Sequence, residues 1–222
     1  MNTAVKLLAL AAALTVSGGA MAQAQGDWVV KFGVNKITPK VKSGDVSAPA
    51  LPGTKADVGT DTKPIFNINY FLTNNWVAEL DLGVPYRHDL FGAGSIEGTG
   101  KLGTADVLPP TAFLQYRFGE PNSFFRPYAG LGLTYAFFRR ERGSGQLTAV
   151  LNTGGPGATF SLDAKLAVSA QLGASVRIND KWSVDGGVIK TKLKTTAHYS
   201  TGQTQKMTLD PVAVNIGLSY KF

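Results

Sequence analysis

The chain has 222 residues, 44% of them hydrophobic, a formal net charge of +7 and a mean hydropathy of +0.01, which excludes both a disordered polymer and a bundle of membrane helices. It carries 26 glycines and no cysteine, so a disulfide framework and thiolate metal sites are ruled out. No basic run with interleaved aromatics occurs, so the positive charge points to anionic lipid and not to nucleic acid.

At the N-terminus Lys6 precedes an apolar run from Leu7 to Val16 and small residues at Ala20, Ala22 and Ala24. That is the pattern of a cleaved signal peptide, residues 1–22 with 24 as an alternative end. Its removal takes Lys6 with it and lowers the charge from +7 to +6. No later stretch approaches the roughly 18 apolar residues of a spanning helix, so residues 23–222 form one exported domain, soluble or barrel.

From Trp28 the chain alternates. The first ribbon sets Trp28, Val30, Phe32 and Val34 against Val29, Lys31, Gly33 and Asn35, and a polar stretch from Thr38 to Lys63 reads as a long loop. The second puts Phe66, Ile68, Tyr70 and Leu72 outward and Asn67 and Asn69 inward, then turns at Thr73-Asn74-Asn75. The third places Trp76, Ala78, Leu80, Leu82, Val84 and Tyr86 on its apolar face and Glu79 and Asp81 on the other. A second polar loop spans His88 to Val107. In the fourth, Thr111 to Phe118, Ala112, Leu114 and Tyr116 oppose Phe113, Gln115 and Arg117.

The fifth ribbon carries Leu131, Leu133, Tyr135 and Phe137 opposite Gly130, Gly132, Thr134 and Ala136, before a glycine-rich loop from Arg139 to Asp163. The sixth sets Leu166, Val168 and Leu172 against Ser169, Gln171, Ser175 and Arg177. The seventh starts at Trp182 with Val184 and Val188 in phase. Beyond Gly186-Gly187 its phase stays open: Lys190, Lys192 and Lys194 point outward unless the glycines make a bulge. A loop from Thr196 to Asp210 leads to the eighth, where Val212, Val214, Ile216, Leu218, Tyr220 and Phe222 form an unbroken apolar face.

Eight ribbons with tight turns and long loops in alternation predict an all-β fold, an eight-stranded antiparallel transmembrane β-barrel of the outer-membrane type with both termini periplasmic. A soluble barrel would reverse the faces, burying the apolar one. The small inner face carries charges of both signs, Lys31, Glu79, Asp81, Arg117, Arg177, Asp185 and Lys221, suited to pairing in a narrow lumen, with Arg117 next to Glu79 and Asp81. Arg139, Arg140, Arg142 and the three lysines of ribbon seven would meet lipopolysaccharide phosphates at the outer rim. No enzyme is expected: His88 reads as a solvated rim histidine, and no serine lies on a matching ribbon rim, leaving only Ser95 and Ser200 in loops. No cofactor and no metal spacing is found.

The strings VPYRH at Val84 to His88, LPPT at Leu108 to Thr111, RPYAGLGLTY at Arg126 to Tyr135 and the closing YKF resemble the OmpW family of small outer-membrane proteins, over essentially the whole mature chain. The resemblance implies an eight-stranded monomer with a narrow lumen, and passage of small hydrophobic compounds across the outer membrane of Gram-negative cells, as in the AlkL branch. The terminal aromatic Phe222 resembles the assembly signal that such barrels present to the barrel-assembly machinery. A structural or adhesive surface barrel acting through its loops is the competing reading. For a conduit, the features that matter are Pro85, Pro109 and Pro110, which remove amide donors at one level of ribbons three and four near Tyr86 and Phe113. They either part the wall or end the strands at the rim.

Overall fold

The computed structural model describes residues 23–222; the leader expected at 1–22 lies outside the described residues. Its strands are β1 (Trp28–Thr38), β2 (Lys42–Ser43), β3 (Thr54–Val58), β4 (Asp61–Phe71), β5 (Trp76–Gly83), β6 (Tyr86–Gly94), β7 (Lys101–Leu108), β8 (Thr111–Arg117) and β9 (Phe125–Gly143). There follow helix α1 (Gly145–Leu151) and strands β10 (Phe160–Leu162), β11 (Lys165–Arg177), β12 (Trp182–Lys192), β13 (Lys194–Tyr199), β14 (Thr204–Thr208) and β15 (Val212–Lys221).

Among the described residues, eight of these strands close an antiparallel barrel in the order β1-β4-β5-β8-β9-β11-β12-β15, sealed by Val29↔Lys221 through Thr38↔Val212. Closure leaves none of the eight strands at an open edge, the condition a sheet must meet in lipid. The alternation sets the two faces as the sequence predicts: Leu172 is 68% exposed on the wall, while its neighbour Gln171 is 4% exposed in the lumen. Each tryptophan packs on the tyrosine opposite it near the tight turns, Trp28 on Tyr70, Trp76 on Tyr116 and Trp182 on Tyr220, with ring centroids 4.8, 5.1 and 4.8 Å apart. This is one aromatic girdle at one membrane interface.

The other end corrects the sequence reading, because the expected long loops are ordered. β6 and β7 form a hairpin from Tyr86↔Val107 upward, β3 adds to β6, and the upper part of β9 continues past the barrel to pair with β7. A second sheet, β10-β13-β14-β2, stands beside them. Leu90, Ile96, Leu102, Leu147, Ala158 and Phe160 pack between these pieces, with α1 capped by the Ser144 hydroxyl, which accepts from the Leu147 amide. Short apolar stretches separated by glycines hid these strands in the sequence. Ribbon seven settles without a bulge: its register with β11 and β15 runs unshifted from Trp182 to Lys192, so Lys190 and Lys192 lie on the outer face.

Candidate functional site: an apolar chamber over a closed polar floor

The lower lumen is filled by a charge network centred on Asp185. Lys31 Nζ lies 3.1 Å from its Oδ1 and Arg117 Nη2 lies 3.6 Å from its Oδ2, and Tyr128 Oη donates to Oδ1 at 2.9 Å. Lys31 also donates to Asn215 Oδ1 at 3.1 Å, and the Arg117 guanidinium lies over the rings of Phe71 and Tyr128. Tyr128 can reach this far only because a Cβ at position 173 would stand 2.4 Å from its hydroxyl oxygen, and the residue there is Gly173. Arg117 and Arg126 donate to Gln23 at 3.1 and 3.0 Å, drawing the start of the described chain into the mouth.

This corrects the expected pairing of Arg117 with Glu79 and Asp81. The register sets Glu79 opposite Phe113, whereas the Arg117 amide donates to Asn75, nearer the turn, so the guanidinium lies below both carboxylates and reaches Asp185. Glu79 accepts instead from Gln171 Nε2 at 3.2 Å, and Asp81 from the Asn67 side-chain amide. Arg177 is half-buried and Lys221 pairs with Asp27 at 3.6 Å; both line the turn-end mouth and not the middle of the lumen.

Above this floor the inward residues change character at one level on most strands. On β1 Asn35 gives way to Ile37, on β15 Asn215 to Ala213, on β9 Thr134 to Ala136, and on β11 Ser169 to Ala167. Four hydroxyls form a chain across β8, β9, β11 and β12: Thr111 to Thr134 at 2.8 Å, Thr134 to Ser169 at 2.6 Å, and Ser169 to Thr191 at 2.7 Å. Over them opens a cavity of about 110 Å³, walled mainly by apolar residues such as Ile37, Ile65, Val107, Ala136 and Leu193. Gly83, Ala105, Ala136 and Ala213 stand among the larger lining residues and leave space between them.

The chamber meets a fault in the wall. The β5–β8 ladder ends at Asp81↔Thr111 and resumes above as Tyr86↔Val107, with Leu82–Pro85 unpaired on one side and Leu108–Pro110 on the other. Four residues face three, so one strand has a residue in excess, as in a bulge. The β4 side is interrupted as well, between Ile65↔Gly83 and Val58↔Leu90. Among the described residues, Val84 and Pro85 therefore have no ladder partner on either flank, whereas the β8–β9 seam continues through the prolines, the Tyr135 amide donating to Pro110 at 3.0 Å. Leu82, Gly83 and Pro109 all line the chamber.

The excess residue reverses the phase of ribbon three. Tyr86, expected on the outer face with Val84, is 2% exposed and points into the lumen. Phe113 points inward as expected, opposite Gly132, where a Cβ would come within 2.5 Å of its ring. His88, read as a solvated rim residue, is buried with Nδ1 2.6 Å from the Gly59 carbonyl oxygen, and burial lowers its pKa below the usual imidazole value. Of the expected outer cations, Arg142 and Lys194 are exposed, Arg140 reaches Asp106 at 3.7 Å, and Arg139 is half-buried. Lys190 donates to the Asp210 carbonyl and Lys192 lies 3.7 Å from its carboxylate.

Comparison with known proteins agrees with this architecture. The model of the OmpW family matches residues 24–222. The chain is 32% identical to outer membrane protein W of Vibrio cholerae, over 97% of each chain, and 30% identical to outer membrane protein AlkL of Ectopseudomonas oleovorans, over 89% of this chain and 83% of that one. It superimposes on the crystal structure of the outer membrane protein OprG from Pseudomonas aeruginosa with a TM-score of 0.81 at 28% identity, covering 90% of this chain and 98% of that one. A closed eight-stranded barrel with these relatives is an outer-membrane protein, and the chain belongs to the OmpW family.

Proposed function

We propose that this barrel is a passive conduit for small hydrophobic molecules, which enter the chamber from the hairpin side, facing the medium, and leave sideways through the wall. The observation that carries the reading is the coincidence of height: the unpaired stretch at Val84-Pro85 opens at the level of the apolar chamber, directly above the floor. A molecule in the chamber meets charged, hydrogen-bonded side chains below and apolar wall beside it. Transfer into the floor would strip the Asp185 network of its partners, whereas passage between Leu82 and Pro109 keeps an apolar solute in apolar surroundings. Loop adhesion, the competing reading, needs neither a chamber nor a fault in the ladder.

The test replaces Pro85, Pro109 and Pro110 with Val, Thr and Thr, which restore amide donors to both strands. In cells with matched barrel levels, uptake of an apolar solute should fall, and hydrogen exchange should show the new amides protected. Undiminished uptake through a barrel whose new amides are protected overturns the lateral route.

A further inference from the structure

The conduit reading does not account for one polar pair in the chamber. Asn35 on β1 donates from Nδ2 to Tyr86 Oη on β6 at 2.9 Å, and both residues line the cavity. Asn35 is 8% exposed, and among the described residues its Oδ1 accepts from no donor. Tyr86 is 2% exposed and uses its oxygen as the acceptor of this bond, so the phenolic proton is left to donate. An acceptor and a donor that no protein group engages thus stand side by side in a buried, mainly apolar space, placed for a ligand that can donate and accept at once.

The four-hydroxyl belt differs in this respect. If Thr191 donates to Ser169, Ser169 to Thr134, Thr134 to Thr111 and Thr111 to the Pro109 carbonyl at 3.2 Å, every proton of the belt is used. The belt is a finished wall; Asn35 and Tyr86 are not.

Resting on the conduit reading, we infer that the chamber selects neutral apolar molecules that carry a hydroxyl group, the hydroxyl donating to Asn35 Oδ1 and accepting from Tyr86 Oη while the hydrocarbon lies against Ile37, Ile65 and Val107. A hydroxyl is both donor and acceptor in one atom group, which is what the pair lacks. An ether or ketone satisfies only Tyr86, and an alkane satisfies neither. Carboxylates are disfavoured because Asp81 lines the base of the chamber and, among the described residues, no Lys or Arg lines it. Tyr86 stands directly after the unpaired Pro85, so a head group held there lies beside the fault in the wall.

The experiment places the full barrel in lipid nanodiscs and titrates 1-hexanol, its isomer methyl pentyl ether, and heptane, following the Asn35 side-chain amide and the Ile37 methyl resonances by NMR. Hexanol should bind roughly threefold to tenfold more tightly than the ether, the span expected of the one additional buried hydrogen bond, to Asn35. That preference should shrink to near unity in Asn35→Leu, whereas Tyr86→Phe, which keeps the ring, should weaken hexanol and the ether alike and bring the ether down to the affinity of heptane. Equal binding of hexanol and ether overturns the inference and leaves the apolar chamber standing, whereas no binding of any of the three overturns both. A preference for hexanol over the ether that survives unchanged in Asn35→Leu also overturns it, as does a preference for the ether over heptane that survives unchanged in Tyr86→Phe, and the latter decides if Asn35→Leu fails to fold.

Discussion

The two halves of one lumen obey opposite rules. Near the tight turns the inward side chains are polar and long, and they are tied to one another: Asp185 serves Lys31, Arg117 and Tyr128 together. Near the hairpins the inward side chains are apolar and many are short, Ala136, Ala167 and Ala213 among them, and they leave room. A barrel of this size has to fill its interior, and the choice of filler decides whether the result is a seal or a vessel. Directional bonds between ions close the lower half because each group has a defined partner. Apolar groups have no such demand, so trimming them to alanine leaves usable space.

The comparison is broken most forcefully at its lower pole. Asp185→Asn removes the carboxylate that pairs with both Lys31 and Arg117 and leaves two buried cations without a contacting anion, with Glu79 and Asp81 acting on Lys31 only from further off, so the barrel should lose about 3 to 5 kcal/mol. Urea unfolding in micelles measures this, and a loss under 1 kcal/mol would mean the floor is more hydrated than its burial implies.

Next in size is the distinction between inside and outside. Leu172→Arg should cost about 2 to 4 kcal/mol at mid-bilayer. Gln171→Arg, one residue away, brings a cation to Glu79, which Gln171 already contacts at 3.2 Å, and should cost much less. Folding yields into liposomes across the pair check the assigned phase.

The smallest effect belongs to the hairpin end and is a matter of pH. Because the His88 pKa is lowered by burial, the unfolded imidazole takes up a proton below about pH 6.5 while the folded one resists it. Stability of the β3–β6 junction is therefore full above that pH and declines as the pH falls toward the folded value, by no more than about 1.4 kcal/mol per pH unit. The protection factor of the Gly59 amide, its exchange rate relative to the intrinsic rate at each pH, should fall between pH 7 and pH 5, the N–H donating to the Asp89 carbonyl at 2.8 Å, and should fall less in His88→Gln.

What the sequence made legible was whatever depends on a period of two. The faces of β1, β8, β9, β11 and β15, the turns and the closing aromatic strand all follow from alternation, because a pleated strand has no other way to sort its side chains. Tyr86 escaped because one excess residue around Pro85 inverts the phase, and alternation cannot be carried across an uncounted bulge. The partner of Arg117 escaped for another reason. It sits 68 positions away on β12, and only the stagger of strands around the barrel brings Asp185 to its height. The pair Asn35 and Tyr86 combines both difficulties, being 51 residues apart and visible only once the phase is corrected.

The three tryptophan–tyrosine pairs at the turn end have a mechanical consequence. All three tryptophans of the chain stand at that one interface, so the barrel is pinned in the bilayer from below and has no matching indole anchors above. Counting up from Trp76, the unpaired stretch begins eight residues higher, at Val84, which at the usual rise and tilt is roughly 20 Å above the pinned interface. Against an apolar band about 25 Å tall, that puts the fault just inside its far edge. Variation in bilayer thickness is then taken up at the hairpin end, so the local thickness of the membrane sets whether the wall fault faces acyl chains or head groups.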